Sequence, residues 1–294
     1  MTVDVLFPYY GDVALMKQAV ASVLGQLDPD LRLVVVDDGY PDPEVEPWFR
    51  ALDDPRVEYH RNPENLGANG NYRKALTYVR NDLVVVMGAD DIMLPNYTAW
   101  LKAQAASCPE AAVFQPGVVV IDERGAVSAG LIDQAKGWLR PAGQGVRLGR
   151  GEAVAASLLR GNWFYFPALG WRAEAITAVG FRQGYDIVQD LILVLDIVRR
   201  GGAFLLDDTL AFCYRRHSGS DSSQRALSGT RFTEESQAFR RLADEMDAIG
   251  WYHAARVARR HVFSRLNAAT LLPRAALKGQ WAGVGTLARH VLQP

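Results

Sequence analysis

Short, nearly continuous apolar runs alternate along the first half of the chain with segments whose apolar residues recur at helical spacing. Val3 to Phe7 reads as a strand running into Pro8. Asp12 then caps a helix that places Met16, Ala19, Val20, Val23 and Leu24 on one face and stops at Gly25. Leu31 to Val36 is apolar almost throughout and ends in Asp37-Asp38-Gly39, the pattern of a strand buried on both faces. Residues 44–52 and 70–80 read as helices, with an extended segment from Arg56 to His60 between them. Leu83 to Met87 is the most hydrophobic strand and leads into Gly88-Ala89-Asp90-Asp91. A helix over 95–106 and a strand over 113–121 complete this half. Alternation at that spacing predicts an α/β fold, a mostly parallel sheet with helices on both faces.

From residue 122 the pattern loosens. Residues 122–150 are rich in glycine and polar side chains and read as one long excursion, either functional or mobile. A helix over 151–160, the aromatic stretch Trp163-Phe164-Tyr165-Phe166, a helix over 187–200 and two short strands at 204–206 and 209–214 follow. Residues 230–248 and 251–266 read as helices, and a more broken helical tail comes after them. The expected organisation is one domain over 1–225, divided near residue 121, with a C-terminal helical tail over 226–294.

Composition narrows the function. Lys and Arg number 32 against 33 Asp and Glu, without the basic excess of a protein that coats nucleic acid. Two cysteines, Cys108 and Cys213, are too few for a disulfide framework or a cysteine-rich zinc site. No apolar run reaches the ~18 residues of a spanning helix, and Met1 to Asp4 lacks the basic start of a signal peptide, so the expectation is a soluble cytoplasmic protein. The charge is uneven, however. Residues 251–294 hold seven basic side chains and no Asp or Glu, which leaves a net charge of −8 on residues 1–250.

In an open parallel sheet, ligands bind beyond the carboxyl ends of the strands. The residues predicted there are Pro8-Tyr9-Tyr10, Asp37-Asp38 and Asp90-Asp91. Carboxylates gathered on one edge repel each other unless a cation or polar ligand joins them, and carboxylate with phosphate oxygens is the donor set of Mg²⁺ or Mn²⁺. Each Asp also fits a turn-capping role. The first turn, Pro8-Tyr9-Tyr10-Gly11-Asp12, lacks the glycine pattern of a dinucleotide-binding fold. Neither a phosphate loop of the Walker type nor a Gly-x-Ser-x-Gly elbow occurs.

Taken in order, Phe7-Pro8-Tyr9-Tyr10, Val36-Asp37-Asp38-Gly39, Asn65-Leu66-Gly67, Gly88-Ala89-Asp90-Asp91, Val179-Gly180-Phe181, Gln189-Asp190 and Tyr214-Arg215-Arg216-His217 resemble a family 2 glycosyltransferase of the GT-A fold. The resemblance covers roughly residues 3–220. It implies an inverting transfer of one sugar from a nucleotide diphosphate donor to a hydroxyl acceptor, in the building of a polysaccharide or glycoconjugate. Residues 1–121 then form the nucleotide-sugar half and 122–225 the acceptor half. The resemblance assigns Pro8, Tyr10 and Asp38 to the nucleobase side. It sets Asn65, Gly67, Asn71 and Arg73 beside the nucleotide, and Asp90 and Asp91 at the ribose and the metal. Two departures stand out: Gly11 where the family often has Asn, and Gly88 in place of the leading Asp of an Asp-x-Asp cluster.

The resemblance places the general base in a Glu-Asp pair at the start of a helix. Here the pair reads Gln189-Asp190, so Asp190 is the candidate and Asp186 the reserve. An Asp in the first turn of a helix also fits simple dipole stabilisation. His217 is implied as a metal or diphosphate ligand, with Arg215 or Arg216 as phosphate partners. Trp163 is the candidate stacking platform for an acceptor sugar, while its aromatic neighbours read as a half-buried strand.

The implied cofactor is Mg²⁺ or Mn²⁺. The implied donor is a UDP sugar, with dTDP and GDP sugars as alternatives, and the acceptor is a glycan or a lipid-linked species. A non-catalytic nucleotide-sugar binder or scaffold and a sugar nucleotidyltransferase are the rival functions; the latter lacks its glycine-rich basic loop here. Basic residues 251–294, with Trp251, Tyr252, Phe263 and Trp281, suggest peripheral contact with the inner membrane face, against the alternatives of internal ion pairing or a homodimer contact.

Overall fold

The computed structural model describes residues 1–128, 130–216, 230–277 and 279–292. Strands β1 (Val3–Tyr9), β2 (Leu31–Asp37), β3 (Val57–Arg61) and β4 (Leu83–Val86) form a parallel block in the order β3-β2-β1-β4. Helices α1 (Val13–Leu24), α2 (Val45–Ala51) and α3 (Gly67–Leu76) connect them. Asp12 accepts a hydrogen bond from Leu15 N at 2.9 Å, and the Gly25 N–H closes the other end of α1. Cap and stop both fall where the sequence predicts.

Beyond β4 the sheet becomes mixed. After a two-residue β5 (Ile92–Met93) and α4 (Tyr97–Ser107) comes the long β6 (Ala111–Ile121). The 122–150 excursion is not irregular throughout: it contains α5 (Leu131–Leu139) and a short β7 (Arg147–Gly149). Then follow α6 (Gly151–Arg160), β8 (Gly170–Arg172), α7 (Ala173–Val179), α8 (Gln189–Arg199) and β9 (Ala203–Arg215). β8 is inserted antiparallel between β4 and β6, while β6 and β9 run parallel with two irregularities near Pro116 and Gly117. The two short strands read at 204–206 and 209–214 are thus one continuous strand. The Trp163–Phe166 stretch is no strand but leads into a 3-10 turn at Phe166–Ala168.

Successive residues of the central strands feed opposite faces, as a pleated strand requires. Leu6, Val34, Val36, Val84 and Val86 pack with α6 and α8, whereas Val5, Phe7, Leu33, Val35 and Val85 pack with α1 and α4. Near-continuous apolar sequence is the consequence of this double burial.

Four more helices follow: α9 (Thr230–Ala248), α10 (Tyr252–Arg260), α11 (Val262–Leu277) and α12 (Trp281–Leu292). They behave as two pairs. Ala238, Phe239, Leu242, Met246, Ala254, Ala255 and Ala258 of α9 and α10 belong to the same core as α6 and α8. By contrast α11 and α12 pack on the start of α9 in a small separate cluster around Phe232, Ala268, Ala275 and Leu287. The helix read over 251–266 breaks at His261, whose backbone is left-handed (φ +46°). Among the described residues no helix is long and apolar enough to cross a membrane.

Candidate active site

The carboxyl ends of β1, β2 and β4 meet at one edge. Asp38 N donates to Tyr9 O at 2.9 Å, which ties the first two strand ends together. The two carboxylates after β2 have different duties. Asp37 is fully buried and accepts from Tyr40 N (2.7 Å), Tyr59 Oη (2.5 Å) and Arg61 Nη1 (2.9 Å), which fixes the turn. Asp38, also buried, uses Oδ1 to accept from Asn62 Nδ2 and Leu66 N, each at 2.8 Å. Asn71 braces that arrangement. Its Oδ1 accepts from Asn62 at 3.0 Å and its Nδ2 donates to Val36 O at 2.9 Å.

Pro8 lies within β1 opposite Val36, half-buried, and Tyr10 projects from the strand end with its ring edge-on to Tyr40 at 5.3 Å. Tyr10 is 55% exposed, which leaves its ring open to a planar ligand. Asn65 Oδ1 accepts from Gly67 N at 2.9 Å, and Gly67 enters α3 at φ +73°, a conformation that favours glycine. Arg73 is exposed and turned toward the loop before α8. In the amide orientation that satisfies both partners, Gln183 accepts from both terminal nitrogens of Arg73 at 2.7 and 2.9 Å. Asn71, by contrast, is buried, and its two hydrogen bonds go to Asn62 and Val36.

After β4, Asp91 is 1% exposed, and its Oδ1 accepts from Arg215 N at 2.7 Å. Its Oδ2 is buried and has no hydrogen-bond partner among the described residues. Burial and the neighbouring Asp90 charge push the Asp91 carboxyl well above the usual carboxylate range, against the opposing effect of Arg215. A Cβ at residue 88 would lie 2.4 Å from Asp91 Oδ2, so Gly88 makes room for this carboxylate. The departure from an Asp-x-Asp pattern thus has a steric counterpart.

An unpartnered buried carboxylate oxygen beside a second Asp fits a hard divalent ion. Such an ion commonly takes one or two carboxylates and completes its shell with phosphate and water oxygens. No cluster of three His, Cys, Asp or Glu side chains suited to a metal occurs among the described residues. His217 lies outside them. Arg215 is committed elsewhere: its guanidinium donates to the carbonyls of Asp90, Asp122 and Glu123 and to Gln18. Arg216 makes a two-pronged ion pair with Asp133 at 2.6 and 2.9 Å.

A second group of candidate residues gathers at the N-terminus of α8. Asp190 accepts from Leu191 N at 2.7 Å through Oδ1 and from Asn162 Nδ2 at 3.4 Å through Oδ2. A cavity of about 230 Å³ on one side of it is bounded by Tyr72, Tyr165, Phe166 and Tyr214. A second of about 270 Å³ is bounded by Asn162, Arg216, Arg231 and Glu235. Lys136, Asp190 and Tyr214 line both. Burial raises the Asp190 carboxyl above its ordinary value; the Leu191 amide, the Lys136 charge and Asn162 oppose the shift. Lys136 donates to Phe164 O at 2.5 Å, sits 4.4 Å from the Tyr165 ring, and is lowered by burial to about 8.

Gln189, which stands where a Glu is expected, accepts from Asn69 Nδ2 at 2.8 Å and donates to Asp186 O at 3.0 Å. This amide pair joins α3 to the turn that presents Asp190.

Trp163 requires a correction. It is 4% exposed, donates to Ser157 Oγ at 3.1 Å and packs edge-on against Phe204 at 5.2 Å, so it belongs to the core and offers no stacking face. Its neighbours Phe164, Tyr165 and Phe166 reach the cleft instead. Lys136 was invisible in the sequence because α5 was read as part of an irregular excursion. Tyr72 stood beside residues already singled out and gave no signal of its own, while Tyr214 was read only as part of the Tyr214–His217 motif and given no role.

Comparison with known proteins agrees with this geometry. Residues 4–132 match the family model described as glycosyl transferase family 2. That match covers the first part of the chain, and the chain as a whole shares the mixed α/β, GT-A-like fold of the solved structures it resembles. The S. aureus TarS 1–349 structure in complex with UDP-GlcNAc matches 99% of this chain and 82% of its own at TM-score 0.70 and 15% identity. The TarS 1–349 complex with UDP matches 99% of this chain and 91% of its own, at TM-score 0.61 and 12% identity. Among curated sequences, the uncharacterized protein MT1568 of Mycobacterium tuberculosis (strain CDC 1551 / Oshkosh) is 26% identical over 235 residues, 78% of this chain and 71% of that protein.

Proposed function

We propose that the protein transfers one sugar, with inversion, from a uridine diphosphate sugar to an acceptor hydroxyl, and that Asp190 is the general base. The observation that carries this reading is the position of Asp190, a carboxylate raised by burial and held at a helix start, on the wall of both cavities. An acceptor hydroxyl is a poor nucleophile, and a carboxylate within reach takes its proton as the bond to the anomeric carbon forms. A base held above the ordinary carboxylate value is a better acceptor for that proton. The uridine choice rests on the TarS structures, which contain UDP-GlcNAc and UDP.

Tyr10 and Asp38 are assigned to the nucleobase side, with Pro8, Asn65, Gly67 and Arg73 around it. Asp91, with Asp90, would hold Mg²⁺ or Mn²⁺, whose chemistry is to neutralise charge on the leaving diphosphate. Asp91 is suited to this by its free buried oxygen, and Gly88 by leaving the space into which that oxygen is turned.

The test is UDP release from UDP-GlcNAc with Mn²⁺, with and without candidate glycan acceptors. Asp190→Asn keeps the shape and removes the proton acceptor, so transfer falls ~10²–10⁴-fold while UDP binding persists. Near-normal turnover in this variant would remove Asp190 from the role. Asp91→Asn retains the oxygen that accepts from Arg215 N, and it weakens Mn²⁺-dependent UDP binding with little change in melting temperature. An unchanged affinity would reject the metal assignment. Sugar release absent in the wild-type protein under all donors would favour the non-catalytic binder.

A further inference from the structure

The sequence concentrates positive charge after residue 250, and the fold shows where part of it goes. A groove of about 740 Å³ lies where α9, α10 and the start of α11 meet. Five arginines line it (Arg240, Arg256, Arg259, Arg260 and Arg265) against two carboxylates, Asp244 and Asp247. Arg259 is paired with both of those aspartates, and Arg265 donates to Val291 O at 2.7 and 3.0 Å. Arg240, Arg256 and Arg260 are exposed and have no carboxylate partner among the described residues.

The floor of the groove is built, not incidental. His261 is 7% exposed, stacks on Phe239 at 3.7 Å and hydrogen-bonds Glu235 at 3.2 Å. His290 is 4% exposed and lies between Ser236 Oγ at 2.7 Å and Ser264 Oγ at 2.9 Å. Phe239 and His261 also line the cavity that contains Asp190, so a single stacked pair separates the two spaces.

Guanidinium groups present a planar fork of donors that matches phosphate oxygens, and three of them left unpaired around one concavity repel each other until an anion joins them. The two aspartates of the lining are both taken by Arg259, which leaves the other three guanidinium groups uncompensated. We propose that this groove is a second anion site, distinct from the donor site, that binds a phosphate-bearing ligand. The phosphate is carried either by a soluble molecule or by the headgroup of a membrane lipid, and both present the same oxygens to the arginines.

The experiment uses the full chain and two probes at low salt with EDTA: inorganic tripolyphosphate, and vesicles of phosphatidylcholine with or without phosphatidylglycerol. The groove variant is Arg240→Gln/Arg256→Gln/Arg260→Gln, and the control is Arg50→Gln/Arg80→Gln/Arg200→Gln, which neutralises three exposed arginines elsewhere. The groove variant should bind at least one probe about tenfold more weakly or worse, the control should bind as the wild type does, and both should keep UDP affinity with Mn²⁺. Loss confined to tripolyphosphate identifies a soluble phosphate ligand; loss confined to the phosphatidylglycerol vesicles identifies a headgroup. Failure of the wild type to bind either probe, or equal losses in the two variants, overturns the site.

Discussion

Asp190 carries two opposing demands that can be read apart. Burial raises its carboxyl in the folded chain, so between its unfolded and folded values the native state binds the proton more readily than the unfolded state does. By linkage, that stabilisation is present at low pH and is lost as pH rises through the folded value. At neutral pH the charged form therefore costs stability, and Asp190→Asn should raise the melting temperature at pH 7 while it abolishes most transfer. A lower melting temperature would mean that the carboxylate is structural. Lys136 gives an independent check. Its charge favours ionised Asp190, so Lys136→Met should move the acid limb of the kcat–pH profile to higher pH, whatever it does to the maximal rate. An unmoved or lowered limb would separate Lys136 from the base. The ordinary carboxylate shift expected from an adjacent cation is thus a finer probe than loss of activity, which any damaged cleft would show.

At the scale of elements, the N-terminus of α8 is held by a residue far away in sequence. Glu234 of α9 accepts through one oxygen from Asp186 N (3.0 Å), Ile187 N (2.7 Å) and Val188 N (3.2 Å). Glu234 thereby braces the turn that leads into the helix carrying Asp190. Glu234→Ala should cost ~0.5–2 kcal/mol, as the loss of a helix cap does, and should lower kcat more than it changes UDP affinity. A purely structural role would lower stability and leave the kcat of the surviving folded fraction intact.

This contact also marks the limit of what the chain reveals unaided. The parallel block and its Asp-bearing ends were legible because each strand is a doubly buried apolar run and each connection has a cap or a glycine. Asp190 entered as a candidate through resemblance alone. Glu234 and Lys136 were not legible, because their importance lies in where α9 and α5 dock, and docking is set by tertiary packing rather than by local pattern. Trp163 misled for the same reason: a large aromatic beside a cleft and one inside the core have the same sequence surroundings.

Across the whole molecule, the C-terminal helices are not a single appendage. Ala254, Ala255 and Ala258 of α10 fill the main core, so ending the chain at Gly250 would open that core, and charge substitutions are the sounder probe of the basic segment. The α11–α12 pair is different. Among the described residues it rests on a small buried cluster with Phe232 of α9, and His290 forms a buried polar link between two serines. Burial holds His290 down to about 4, with the nearby His261 and Arg265 acting in the same direction and Glu235 opposing them. The unfolded chain, with an ordinary histidine, binds a proton already near 6.5. Between those values the unfolded state holds more protons, so stability falls as pH falls, and the loss is complete only below the folded value. A small cluster that must also keep an uncharged histidine should open before the rest of the fold does. Hydrogen exchange, corrected for intrinsic rates, should therefore show protection in α11 and α12 falling between pH 7 and pH 5 while the amides of β1, β2 and β4 stay protected. His290→Gln should remove most of that acid sensitivity. Uniform loss of protection across all elements would show instead that the C-terminal pair is continuous with the main core.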